Sequence, residues 1–294
     1  MSRVTRLYPL YCSSVMSLLR EKTQRLIEDT AEEYPAVIGL HSVSLSNPED
    51  ELSLNADEVF PTASIIKVPV LVEFYRQAEE GALDPGGVRA LEEGDKVGGS
   101  GVLQHLTAGS TGLTLEDYAR LMINLSDNTA TNVVIDLVGA DNVNRLLQGL
   151  GFDLTRLVRK MQAKGLDPDR VENLSTPMEL TGLMEAIHRG EGLSSGVCEK
   201  TLAVLRLHKP GVIRDAVQDG VDVADKSGWM GGVECDTGIV YAPKPYAVTV
   251  MAKNIPEWDR GSLEAKEVLR ELVSAVHDYY LNIGTATRHG RRRG

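Results

Sequence analysis

Hydrophobic positions in this chain follow a helical period, then a strand-like alternation, then helical and strand-like patterns again. Residues 16–32 have an amphipathic helical period that ends near Tyr34-Pro35. AVIGLHSVSL at 36–45 alternates and reads as a strand, and ELSLN at 51–55 continues as a second. Residues 64–81 form an apolar helix that stops in the loop of Gly81, Pro85, Gly86 and Gly87. GGSGVLQHLTAGS at 98–110 is glycine-rich with a short helical piece. Thr114 and Asp117 form a capping box that opens a helix reaching about Asn124. Helices follow at 129–139 and from Asp141 to Gly149, then a long loop at 152–176, then helices at 177–189 and 194–207. After Pro210 the texture changes. DVADKSG, TGIVYA and YAVTVMAK are short, β-branched and alternating, which predicts an antiparallel meander, and a last helix spans 261–281.

Strands therefore lie at both ends and a helical block lies between them. The simplest architecture is α/β of the α+β type: an antiparallel sheet of about five strands from both chain ends, flanked by helices, with a helical subdomain inserted. The implied division is 16–62 plus 210–282 for the α/β part and 63–209 for the helical part, with 1–15 and 283–294 outside the fold.

Composition narrows the function classes. The chain has 294 residues, 42% hydrophobic and 25% charged, which is ordinary for a globular protein. A net charge of −11 argues against a nucleic-acid or anionic-membrane partner. The basic RHGRRRG end reads as a tail. Cys12, Cys198 and Cys235 are far apart and odd in number, which excludes a disulfide framework and any metal-ligand spacing. LYPLYCSSVMSLL at 7–19 follows Arg3 and Arg6 but is polar in the middle and lacks a small-residue cleavage site, so a cytoplasmic location is expected. No HExxH, CxxC or phosphate-loop pattern occurs, and no cofactor is expected. His105 and His208 read as structural.

Three short motifs carry chemistry. Ser64 and Lys67 sit three apart, on one face at a helix start. A serine is a poor nucleophile until a base takes its proton, and a lysine becomes a base when burial depresses its pKa. The bland alternative is a capping serine and a snorkelling lysine. Ser126-Asp127-Asn128 lies at a turn between helices, where a second hydroxyl could relay a proton and an amide could hold a carbonyl or the lysine. Its bland alternative is a polar turn with a helix cap. Lys226-Ser227-Gly228 ends a strand, a place suited to docking an extended acyl substrate that carries a carboxylate. Its bland alternative is a turn.

Each motif alone decides nothing, but the three occur in this order, on helix, inter-helix loop and strand. That trio is found in class A β-lactamases and penicillin-binding proteins. The sequence resembles the class A β-lactamase-like serine hydrolases over residues 36–280, through GSGVLQHL, LTLEDYARLMINLSDNTATN and TPMELTGLMEAI as well as the trio. The resemblance implies a β-lactamase-like fold and a small-molecule acyl substrate such as a β-lactam. It implies that Ser64 is the acylated nucleophile and Lys67 its proton partner. Ser126 would pass the proton to the leaving nitrogen, and Asn128 would bind the substrate amide. Lys226 and Ser227, next to Gly228, would hold the substrate carboxylate. The backbone N–H groups of Ser64 and Trp229 would form the oxyanion hole.

Two stretches depart from the family pattern. Class A β-lactamases hold a deacylating water with a glutamate in an E-x-x-L-N pattern. Here that loop reads VRKMQAKGLDPDRVENLSTP, which puts Met161 near the expected glutamate. Asp167, Asp169 and Glu172 are carboxylates in the loop but do not fit the pattern, and read as solvated charges. Trp229 and Met230 stand where the family has small residues, and they either line the acyl pocket or belong to the core. The expected activity is a β-lactamase-type acyl transfer through Ser64, with slow deacylation. The alternatives are a serine esterase, amidase or peptidase acting on another acyl substrate, or a non-catalytic binding protein on the same fold.

Overall fold

The computed structural model describes residues 7–110, 112–161, 171–259 and 261–285. In chain order the elements are α1 (Leu7–Glu32), β1 (Val37–Ser44), β2 (Glu51–Leu54), β3 (Phe60–Pro61), a 3-10 turn over Ala63–Ile66, and α2 (Lys67–Glu79). β4 (Val88–Ala90), β5 (Gly112–Thr114), α3 (Leu115–Asn124), α4 (Asn128–Val138) and α5 (Ala140–Gly149) follow. Then come β6 (Leu174–Ser175), α6 (Pro177–Arg189), α7 (Ser195–Leu205) and α8 (Val212–Ala216). The chain closes with β7 (Val223–Met230), β8 (Val233–Val240), β9 (Tyr246–Lys253) and α9 (Leu263–Thr285).

The main sheet has five antiparallel strands in the order β2-β1-β9-β8-β7. It is the α+β architecture that the two-ended strand pattern predicts. Strand alternation sorts its side chains onto two covered faces. Val223, Val240, Val248 and Val250 pack with Ile27 of α1 and with Leu269, Val273 and Val276 of α9. Ala224, Ile239 and Ala247 point the other way, into the core of Val70, Phe74, Met122, Val134 and Leu183 from the helices. Because both faces are buried, all eight residues of β8 are buried.

Several elements differ from the sequence-based expectation. α1 starts at Leu7, nine residues before Met16. Ser64 lies in a 3-10 turn, and α2 itself starts at Lys67. Gly139, with no side chain to offer, caps α5 in place of Asp141. Strand β6 lies in the stretch read as a long loop, and α8 and β3 lie in stretches that carry no assignment from the sequence. The β3–β6 pair has a consequence for function. It joins the segment just before Ser64 to the end of the 152–176 loop, through Phe60 opposite Ser175 and Pro61 opposite Leu174.

Candidate active site

The turn that presents Ser64 is built from strained and clamped backbone. Ala63 has φ of +42°, a conformation that costs an L-residue free energy and persists only when its surroundings hold it. Thr62 supplies the hold. Its N–H donates to Asn173 O at 2.9 Å and its hydroxyl to the same oxygen at 3.2 Å, while its own carbonyl accepts from Ile65 N–H at 3.0 Å. Ser64 emerges half-buried from this clamp.

Lys67 is one turn further on and fully buried. Its ammonium donates to Ser126 O at 2.8 Å, Ser126 Oγ at 3.0 Å and Asn128 Oδ1 at 3.1 Å. Burial pushes its pKa well below the ordinary lysine value, and the neighbouring Lys226 pushes it further, while Asp127 pulls it back up. All three bonds go to the Ser126–Asn128 loop, and Ser126 stands in the left-handed region with φ of +51°.

Asp127, buried between these two, fixes the loop. One carboxylate oxygen caps α4 by accepting from Ala130 N–H at 2.9 Å. The other accepts from Val102 N–H at 2.6 Å and Leu103 N–H at 2.9 Å. The approach is so close that a Cβ on Gly101 would lie 2.2 Å from the Asp127 carboxylate. This is the reason for the glycine-rich 98–110 stretch at that point. Asn128 is held by Ser100 O and Gly98 O, which leaves its Oδ1 for Lys67.

The edge strand β7 forms the opposite wall. Lys226 is buried and donates to Ser227 O, and burial lowers its pKa to about 8 despite the nearby Asp236. Ser227 Oγ donates to Pro210 O at 3.2 Å. Gly228 lies against the Ser64 turn, where a Cβ would meet Ser64 N at 2.7 Å and Ile65 N at 3.1 Å. Trp229 is half-exposed, and its Nε1 donates to Ser262 Oγ at 2.9 Å.

A cavity of about 340 Å³ brings Ser64, Ser126, Lys226, Ser227, Gly228 and Trp229 to one surface. Lys67 and Asn128 stand buried behind that surface, Lys67 bonded to it through Ser126 and Asn128 bonded to Lys67. The eight residues singled out in sequence thus converge. Trp229 belongs to the cavity wall and not to the core, whereas Met230 packs against the cluster of Phe60, Ile65 and Met251. His105 and His208 are exposed, and neither lines the cavity. Glu234 does line it and was missed. It pairs with Trp229 across the β7–β8 hairpin, and burial raises its carboxyl to about 8. Period-two alternation, counted back through the hairpin turn, is the signal that could have found it.

Met161, which the sequence reading puts near the expected glutamate, is a buried side chain. Its backbone N–H and C=O are bonded to the Asn132 side chain at 2.8 and 3.0 Å. Glu172 is ion-paired with Arg159, so it is not a free solvated charge. Asp167 and Asp169 lie outside the described residues.

Comparison with known proteins identifies the family and the fold. Residues 19–280 match the model of the "Beta-lactamase enzyme family". Beta-lactamase CARB-3 of Pseudomonas aeruginosa is 23% identical over 288 residues, covering 93% of this chain and 96% of the relative. The crystal structure of a beta-lactamase from Sphaerobacter thermophilus is 31% identical, with a TM-score of 0.78 over 90% of this chain and 96% of that one. A PBP-A mutant, solved as an acyl-enzyme complex with penicillin-G, is 27% identical, with a TM-score of 0.77 over 89% and 96% of the two chains.

Proposed function

The chain belongs to the beta-lactamase enzyme family, and from that premise we propose that it opens β-lactam amides through an acyl-enzyme on Ser64 that deacylates slowly. The observation that carries this reading is the buried Lys67 with its pKa driven down, one turn from Ser64 and 3.0 Å from Ser126 Oγ. A neutral Lys67 takes the Ser64 hydroxyl proton as Oγ attacks the lactam carbonyl. The developing oxyanion is met by the N–H groups of Ser64 and Trp229, each such donor typically worth ~2.7–4 kcal/mol. The proton then passes from Lys67 through Ser126 to the lactam nitrogen as the C–N bond breaks. Asn128 orients the substrate amide, and Lys226 and Ser227 hold its carboxylate.

Release of the acyl group needs a water and a base to activate it. Met161 offers no such base where the family carries one. The same observation favours a second reading, in which the site acylates and releases a non-antibiotic ester or amide whose own leaving step needs less help. Intact-protein mass spectrometry over time, with a panel of β-lactams and activated esters, tests both. The first reading expects a persistent adduct with β-lactams. Rapid, complete turnover of an ester with no β-lactam adduct would favour the second, and no adduct with any member would overturn both.

A further inference from the structure

We propose that Cys235 is a positioning residue whose thiol spans the two backbone segments that carry the oxyanion donors and sets the distance between them. The proposal rests on the oxyanion pair assigned above to Ser64 and Trp229. Cys235 lies in β8, directly opposite Gly228 of β7. Its Sγ is 3.2 Å from Gly228 O and 3.3 Å from Thr62 O, so the S–H has an acceptor on each segment.

Each of these acceptors is coupled to an oxyanion donor by the backbone. Gly228 C=O and Trp229 N–H belong to one planar peptide, so fixing the oxygen fixes the direction of the N–H. Thr62 C=O is separated from Ser64 N–H only by Ala63, whose φ of +42° has to be held. Asn173 clamps Thr62 from the loop side, and Cys235 meets it from the sheet side.

No room is left between these parts. A Cβ on Gly228 would come within 2.9 Å of Cys235 Sγ as well as 2.7 Å of Ser64 N. Sulfur suits this place for two reasons. It reaches two carbonyls at more than 3 Å, whereas a hydroxyl donates best at about 2.7–2.8 Å and could serve only one of them well. Burial also drives the thiol pKa well above its ordinary value, so the group remains an S–H donor at neutral pH. The plain alternative is a small filler in the cluster of Phe60, Ile65, Val233 and Met251.

A fluorophosphonate separates the two roles. It forms a Ser64 Oγ–P bond with loss of fluoride and leaves a phosphonyl oxygen in the oxyanion hole, where the ³¹P resonance reports its hydrogen bonding. The proteins compared are wild type, Cys235→Ala, Cys235→Ser and, as a control for a buried thiol elsewhere, Cys198→Ala on α7. The expected result is wild-type behaviour for Cys198→Ala. Cys235→Ala should label about tenfold more slowly or worse, part of the ~10²–10³ lost when a donor is removed outright, with a shifted or doubled ³¹P signal. Cys235→Ser should fall between. A wild-type labelling rate and resonance in Cys235→Ala, even with a lowered melting temperature, would overturn the proposal and leave only the filler role. If the alanine variant does not fold, the same two readouts on Cys235→Ser decide it. A wild type that is not labelled on Ser64 at all would overturn the nucleophile assignment first, and this proposal with it.

Discussion

Lys67 Nζ lies 3.0 Å from Ser126 Oγ and 2.8 Å from the carbonyl of the same residue, and one buried amine thereby ties α2 to the α3–α4 loop. As an ammonium Lys67 has three donors, and three acceptors consume them. As a neutral amine it has two donors and a lone pair, and that lone pair is what a serine hydroxyl needs. Burial, which lowers the pKa, brings the second state within easier reach than it is for an exposed lysine.

Lys67→Arg should therefore abolish catalysis while keeping a charge in place, since arginine does not give up its proton at neutral pH. Acylation should fall by ~10²–10⁴, the usual range for general-base assistance. Lys67→Ala should fall as far and also lower the melting temperature, because Ser126 O and Asn128 Oδ1 lose a buried partner at ~1–3 kcal/mol. Stopped-flow acylation beside a thermal melt separates the effects. An arginine variant within a few-fold of wild type, with Ser64 still the labelled residue, would contradict the base role.

The β7 wall should give an alkaline limit to substrate binding. Lys226 titrates near 8, lowered by burial and by Lys209, and held up by Asp236 and Asp225. Above that pH it loses the charge proposed to hold the substrate carboxylate, so KM for an anionic β-lactam should rise. Glu234 on the same wall ionises over the same range and adds to the effect. Lys226→Arg should move the limit upward, and Glu234→Gln should shrink it. The folded-state pKa of Lys226 lies below the unfolded one near 10.4. The unfolded chain thus binds more protons between about 8 and 10.4, and Lys226 makes stability rise with pH across that window. A flat KM from pH 7 to 9.5 would remove Lys226 from carboxylate binding.

Gly228 tests the approach of β7 to Ser64. A Cβ there would fall 2.7 Å from Ser64 N, so Gly228→Ala has to push the two segments apart. The overpacking should cost ~1–3 kcal/mol of stability. The larger loss should be in acylation, by about a hundredfold, because both proposed oxyanion donors are displaced. An alanine variant that melts lower but acylates at the wild-type rate would show that the spacing is not catalytic.

What was legible in the sequence is what local chemistry determines. The capping box of Thr114 and Asp117 forms as read, with Thr114 Oγ1 accepting from Asp117 N–H at 3.1 Å and Asp117 accepting from Thr114 N–H at 3.1 Å. Helix α6 runs over 177–189, where proline at its start and glycine at its end mark it. The site trio was readable because each motif keeps its chemistry within three or four residues. What was not legible depends on tertiary contact. Nothing about alanine announces the positive φ of Ala63, which exists because Asn173, more than a hundred residues later, holds Thr62. Cys235 and Glu234 acquire their neighbours only through the β7–β8 register, which sets Gly228 opposite one and Trp229 opposite the other.

The 152–176 loop gives a gain-of-function prediction. If the missing glutamate limits deacylation, wild type should show a burst of product equal to the enzyme, then a slow steady state. Met161→Glu should speed the slow phase, although its buried side chain and its backbone bonds to Asn132 restrict where the carboxylate can turn. Glu172→Gln should leave the slow phase unchanged, since the residue is engaged by Arg159. A hundredfold loss of deacylation in Glu172→Gln with the fold intact would make Glu172 the base and strike out the slow-release account.

Ser64 is expected to become acylated and to stay so. Wild type and Ser64→Ala are mixed with a labelled penicillin, quenched at intervals and digested, and the label is followed by peptide mass spectrometry. The predicted result is one label, on the peptide that contains Ser64, persisting over many minutes in wild type and absent from Ser64→Ala. Equal labelling of the two proteins, or a label on another peptide, would contradict it.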